Sequence, residues 1–228
     1  MKRKQLLMLF TCVSAFLGCS NDNDSENNQN SNFDSSDYYY FISGKINGEP
    51  FLYGQSMDDN TLKYQEVSEI PLEAATCAYG IDPKLSYSTA MFPNFDNEDT
   101  DPQMGISFIR FYQCSNPQTS TEVFNDLFAI GNYEYSENDL SSGTMMQIGV
   151  DYLPIAMGDV HYESYGEIDP NNTFSITSTE AQNQYLLGTL VSQKQLVEGE
   201  FSAKLYNTED SSDFIEITEG RFKLSVTK

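Results

Sequence analysis

The sequence predicts an all-β domain, an antiparallel β-sandwich or, as the alternative, a partly open lipocalin-like barrel, with one short helix. Three observations carry that prediction. Apolar residues recur at period two through most of the chain after Tyr38, glycine and asparagine punctuate the pattern, and only one segment has helical spacing. Side chains of a strand point alternately to its two faces, so period two with one apolar set marks a half-buried strand.

The first pair of strands, residues 38–46 and 51–53, flanks Asn47-Gly48, a dipeptide suited to a two-residue hairpin because both positions tolerate positive φ. Further strands are expected at residues 61–67, 74–79, 85–92, 104–113, 145–152, 173–178 and 184–191. The helix falls at residues 120–128, where Thr119 and Glu122 have capping-box spacing and Val123/Leu127 and Phe124/Phe128 pair at i,i+4. Being short, it is expected to plug one end of the core. In residues 197–205 the inward set is Val197, Gly199, Phe201, Ala203 and Leu205, with Glu198, Glu200, Ser202 and Lys204 in water. Residues 214–218 and 221–227 complete a meander through a tight turn expected at Glu219-Gly220, with Phe222, Leu224 and Val226 inside. Neither an internal repeat nor a Pro/Gly-rich linker divides residues 38–228, which are expected to form a single domain.

The N-terminus speaks to compartment. Lys2, Arg3 and Lys4 precede the apolar residues 6–17, a run too short to span a bilayer as a helix and laid out as a secretory signal peptide over residues 1–18. Phe16-Leu17-Gly18-Cys19 then resembles the lipobox of bacterial lipoproteins, with Phe16 where that family usually has Leu. The resemblance implies cleavage before Cys19 and acylation of Cys19, which makes the lipid bilayer the first expected partner. Each buried methylene of an acyl chain adds about 0.8 kcal/mol, so several chains hold where one exchanges. Residues 19–37 are rich in Asn, Ser and Asp, with Phe33 the one aromatic before Tyr38, and read as a disordered tether. Its mean reach is roughly 20–25 Å. Ser20-Asn21-Asp22-Asn23-Asp24 resembles the acidic export signals of surface lipoproteins of the Bacteroidetes type, implying an outer-membrane location facing the exterior.

Two further patches are similar to uncharacterised lipoproteins of the same type: Gly44-Lys45-Ile46-Asn47-Gly48 with Phe51, and Gly199-x-Phe201 with Ile217-Thr218-Glu219-Gly220-Arg221-Phe222. The resemblance implies a β-sandwich lipoprotein fold and brings no catalytic residue with it.

Charge narrows the partners. Removing residues 1–18 takes three basic and no acidic residues from a chain of net charge −22, leaving −25. Such a surface repels phosphate backbones, which excludes nucleic acid, and repels anionic headgroups. Of the four cysteines, Cys12 leaves with the signal and Cys19 is acylated, so Cys77 and Cys114 remain. In an exported protein this pair is a candidate disulfide, or else two buried thiols in apolar strands.

Candidates for chemistry are few. His161 is the only histidine, and Asp159, His161 and Glu163 would share one face if residues 159–163 formed a strand. Calcium is the one cofactor the sequence suggests, with Asp96, Glu98, Asp99 and Asp101, or Asp58-Asp59-Asn60, as oxygen donors. The spacing is not that of an EF-hand, since Pro102 and Phe108 stand where the turn glycine and the bidentate glutamate belong. The 15 Tyr and 15 Phe, notably Tyr38-Tyr39-Tyr40, Tyr162 and Tyr165, offer ring faces for a glycan, while the absence of Trp argues against one. Without paired acid/base residues or a phosphate-binding glycine loop, the chain reads as a binding module or an accessory subunit of an outer-membrane protein complex rather than an enzyme.

Overall fold

The protein is described by a computed structural model over residues 34–58, 63–68, 72–74, 84–94, 96–111, 124, 126–136, 146–164 and 169–228. The expected signal peptide, nearly all of the tether, and Cys19, Cys77 and Cys114 lie outside the described residues. Asp34 caps a 3-10 turn, Ser35–Asp37, its carboxylate accepting the Ser36 N–H at 2.9 Å.

The strands that follow are β1 (Tyr38–Ile46), β2 (Glu49–Ser56), β3 (Tyr64–Ser68), β4 (Leu72–Ala74), β5 (Lys84–Pro93), β6 (Gln103–Phe111) and β7 (Gly131–Tyr135). Then come β8 (Met146–Leu153), β9 (Tyr162–Glu163), β10 (Thr173–Ala181), β11 (Gln184–Leu186), β12 (Thr189–Ser192), β13 (Lys194–Asn207) and β14 (Phe214–Thr227). The all-β class read from the period-two pattern is therefore the class of the structure. Among the described residues no helix is long and apolar enough to cross a membrane.

One sheet holds all strands but β11 and β12. Its path runs β2-β1-β14-β13-β10-β7-β8-β6-β5-β3, with β4 beside β5 and β9 bridging β13 and β8. The path curls until its ends meet, and the rings of Tyr53 on β2 and Tyr64 on β3 lie 5.2 Å apart. The unbroken ladder thus combines the two packed layers of a sandwich with the closure of a barrel. Among the described residues every pairing is antiparallel except β7 with β8, which run parallel through Glu134↔Gln147 and Tyr135↔Ile148.

The inward set expected in β13 is buried throughout, as are Phe222, Leu224 and Val226 of β14. Phe174 of β10 stacks on Phe222 at 5.1 Å and meets Phe108 of β6 edge-on at 6.1 Å, joining the two layers. Burying such side chains contributes about 1.5–3 kcal/mol each. Most of the expected helix lies outside the described residues, but Phe124 and Asp126 are helical and the rings of Phe124 and Phe128 meet at 5.2 Å. Both rings pack against Tyr87 of β5.

The Asn47-Gly48 hairpin forms as expected, with φ of 51° and 89°. The Asn47 side chain also accepts the Glu216 N–H at 2.9 Å, while its own N–H donates to Glu216 O at 2.8 Å, pinning the turn to β14. Glu219-Gly220, in contrast, is not a turn. β14 continues through it, and the pair forms a bulge in which two residues face the single Gly44 between Ser43↔Arg221 and Lys45↔Thr218. Glu219 takes φ 54°, which mimics a turn signal in sequence, yet both flanking ladders resume beyond it and keep the chain's direction. A Cβ on Gly44 would fall 3.0 Å from Gly220 Cα. The Gly44–Gly48 and Ile217–Phe222 patches, far apart in sequence, are thus one structural unit, closed by a 2.6 Å ion pair between Lys45 and Glu219.

Candidate functional site

The ladder between β10 and β13 ends at Ala181↔Gln195 and the 2.8 Å bond from Gln182 N–H to Lys194 O. Beyond it the chain continues as the separate β11–β12 hairpin, turning at Leu187-Gly188 with φ of 50° and 81°. Both signs are those of a mirror-type hairpin turn, where Asn-Gly is the usual choice and a leucine is strained. Exposure is high on every apolar residue: Leu187 100%, Tyr185 64%, Leu186 63%, Val191 57% and Leu190 45%. Residues 181–193 carry no charged side chain in a chain of net charge −22. Leu187 is five residue steps beyond Gln182, so the hairpin extends about 16 Å past the sheet.

Strand register fixes which end of the domain bears this finger. Phe41, Lys223, Glu198 and Ser178 form one row across β1, β14, β13 and β10. From that row β1 runs back toward Tyr38 and Asp34 in the same direction in which β10 and β13 run out to the finger. The described domain therefore begins at the end from which the finger projects.

Two open grooves lie on the outer faces. One, about 460 Å³, is lined by Ser88, Phe92, Gln103, Ser107 and Asp151 on β5, β6 and β8. The Ser88 and Ser107 hydroxyls are bonded at 2.9 Å, and a Cβ on Gly105 would fall 2.6 Å from the Asp151 carboxylate. The other, about 510 Å³, overlies β10, β13 and the β14 bulge, where Arg221 and Glu200 approach to 3.7 Å.

Polar groups also gather at two other places. Glu66 of β3 accepts the Thr89 hydroxyl at 3.0 Å, and burial pushes its carboxyl above the usual carboxylate range, opposed by Thr89 and the Lys194 charge. Toward the other end, Phe51, Tyr53 and Tyr64 form a row at 4.9 and 5.2 Å, and Tyr152 lies 6.4 Å from Tyr162, whose hydroxyl donates to Asp213 at 2.8 Å. Burial, first of all, drives the Tyr53 and Tyr64 phenols well above their ordinary range, so both stay protonated at neutral pH.

Among the described residues no three His, Cys, Asp or Glu side chains gather to hold a metal. Asp96, Glu98, Asp99 and Asp101 lie in a turn whose Glu98 and Asp101 carbonyls accept the Met157 and Ala156 N–H groups at 3.1 and 2.9 Å. The Asp101 carboxylate faces Lys63 at 3.4 Å. Asp58 is exposed, and Asp59 and Asn60 lie outside the described residues. Residues 159–163 are not one strand: Asp159 is in a bend, His161 precedes β9, and Glu163 is paired with Asp151 and Tyr206. His161 Nε2 is buried without a hydrogen-bond partner. Tyr39 is exposed, Tyr40 packs on the core, Tyr38 lies edge-on to Phe41, and Tyr165 is outside the described residues.

The finger is what sequence reasoning missed, because residues 184–191 read as a single strand. Its signals were Gly188 inside the run and the missing charge over residues 181–193. No family model, curated protein or solved structure matches the chain.

Proposed function

We propose that this chain is a lipoprotein of the outer membrane, anchored through acylated Cys19 with its β-domain toward the cell exterior, and that its role is binding or accessory rather than enzymatic. The observation that carries the reading is the uncharged apolar β11–β12 finger at the same end of the domain as Asp34, where an anchored leader joins it. An attachment element beside the anchor belongs to a protein that works at a membrane, and the kinship with Bacteroidetes-type surface lipoproteins proposed from the Cys19 and Gly44/Gly220 patches agrees with it. The test is metabolic labelling with an alkyne fatty acid together with protease treatment of intact cells. Label should appear on the wild-type protein and vanish in Cys19→Ala, and protease should remove the domain without lysis. An unlabelled wild-type protein would overturn the anchor, and a protected one the outward orientation.

A second reading, glycan capture, is favoured by the groove between β5, β6 and β8, where hydroxyl, amide and carboxylate groups stand beside Phe92. Binding on a glycan array that is lost in Asp151→Ala would support it, and no binding to any arrayed glycan would remove it.

A further inference from the structure

We infer that the apolar tip of the β11–β12 finger inserts at the headgroup–acyl boundary of a lipid bilayer, where the open edges of the two-stranded ribbon keep their N–H and C=O groups hydrated, and forms a second, protein-borne membrane contact beside the acyl anchor. The inference rests on the membrane reading above, and its own support comes from geometry. Successive residues of a strand point to opposite faces, and Tyr185 and Leu186 are both more than 60% exposed, as Leu190 and Val191 are both substantially so. The hairpin is therefore apolar on both faces and at its tip. A protein groove covers one face of such a ribbon, whereas the acyl boundary of a bilayer takes up both faces of its tip while the ribbon edges stay among the headgroups.

Charge points the same way. The finger carries none over residues 181–193, and the nearest charged neighbours in sequence, Glu180 and Lys194, stand at its base, where headgroups would meet them. A strongly acidic protein has no attraction to an anionic surface, so the contact is hydrophobic and suits zwitterionic lipid. Tyr185, with an apolar ring and a polar tip, belongs to the residue class enriched at the membrane interface.

Placement also agrees. Fourteen residues lie between Cys19 and Asp34, and the finger reaches about 16 Å past the sheet. Asp34, the residue at which that segment joins the domain, lies at the end from which the finger projects, so an anchor at Cys19 would act on the same end as the Leu187 tip. The single backbone irregularity at the tip, Leu187 at φ 50°, places its side chain wholly in solvent without any protein contact to offset the strain.

The chain contains no tryptophan, so one introduced indole reports alone. The full-length protein carrying Leu187→Trp is mixed with an excess of phosphatidylcholine vesicles, with and without brominated acyl chains, and compared with Glu209→Trp in the exposed loop before β14. Leu187 and Glu209 are both exposed, so neither change disturbs the fold. The expected result is a blue-shifted emission quenched by brominated lipid for Leu187→Trp and an unshifted, unquenched one for Glu209→Trp. Adding Leu190→Ser to Leu187→Trp should weaken partitioning about tenfold. Emission from position 187 that stays aqueous on vesicles overturns the inference, and so does emission that shifts only in native outer-membrane fractions, which would assign the finger to a protein groove. Acylation of Cys19 is read separately from the intact mass, so an unacylated protein whose reporter still enters vesicles would sink the anchor and leave the finger standing.

Discussion

Gly199 lies where β10, β13 and the Phe222 ring converge, and Gly199→Ala measures how tightly they do. A Cβ built there falls 2.5 Å from Phe222 Cζ and 2.6 Å from Cε1, and it also collides with the Ser175 carbonyl oxygen on β10. Phe222 cannot swing aside freely, because its ring is buried and stacked on Phe174 at 5.1 Å. The carbonyl is fixed in a ladder between Phe174↔Phe201 and Ile176↔Gly199. Overpacking of this kind costs about 1–3 kcal/mol. For a domain of about 200 residues each kcal/mol shifts Tm by about 2–4 °C, so the expected drop is about 2–12 °C in a calorimetric scan. Phe222→Leu removes the clashing ring atoms, so the double variant should be less destabilised than the two single changes added together, by at least about 0.5 kcal/mol. A Tm within about 1 °C of wild type, or strict additivity, would refute the packing argument.

Two further outcomes follow from the same geometry. Glu66 has its folded carboxyl raised above 4.5, mainly by burial, so it binds its proton more tightly folded than unfolded. Its stabilising effect is complete below the unfolded value and is lost as pH rises through the folded value. Glu66→Gln, which still accepts from Thr89, should remove that decline, and an unchanged slope of denaturation midpoint against pH above 4.5 would contradict it. Leu187→Asn should tighten the β11–β12 hairpin, because Asn adopts positive φ at little cost, and amide exchange over Gln184–Ser192 should slow by about two- to fivefold. Faster exchange would mean that the leucine supports the turn.

What the sequence made legible was local. Period two in residues 197–205 names the buried set correctly because alternation depends only on neighbours along one strand, and Asn47-Gly48 names its turn because both φ values are set within the dipeptide. Phe124 and Phe128 meet for the same reason, through spacing on one turn of helix. Strand partners were not legible. Nothing in residues 131–135 or 146–153 says that they lie parallel, and Glu219-Gly220 carries the composition of a turn although the ladders on either side demand a bulge. The finger was hidden because alternation and continuous apolarity look alike over eight residues, and only exposure separates a strand that packs from a hairpin that does not.

One seam of the sheet joins strands that lie far apart along the described chain. β1, at the start of the described chain, has β14, at its very end, as its inner neighbour, and β13 completes the triplet from the other side. A chain emerging N-terminus first must therefore keep the β1–β2 hairpin waiting, apolar face uncovered, until Thr227 arrives. Pairings of such long sequence separation make folding slow, on the millisecond-to-second scale of sheet proteins. Loss of residues 216–227 alone would leave β1 and β13 without the strand that joins them.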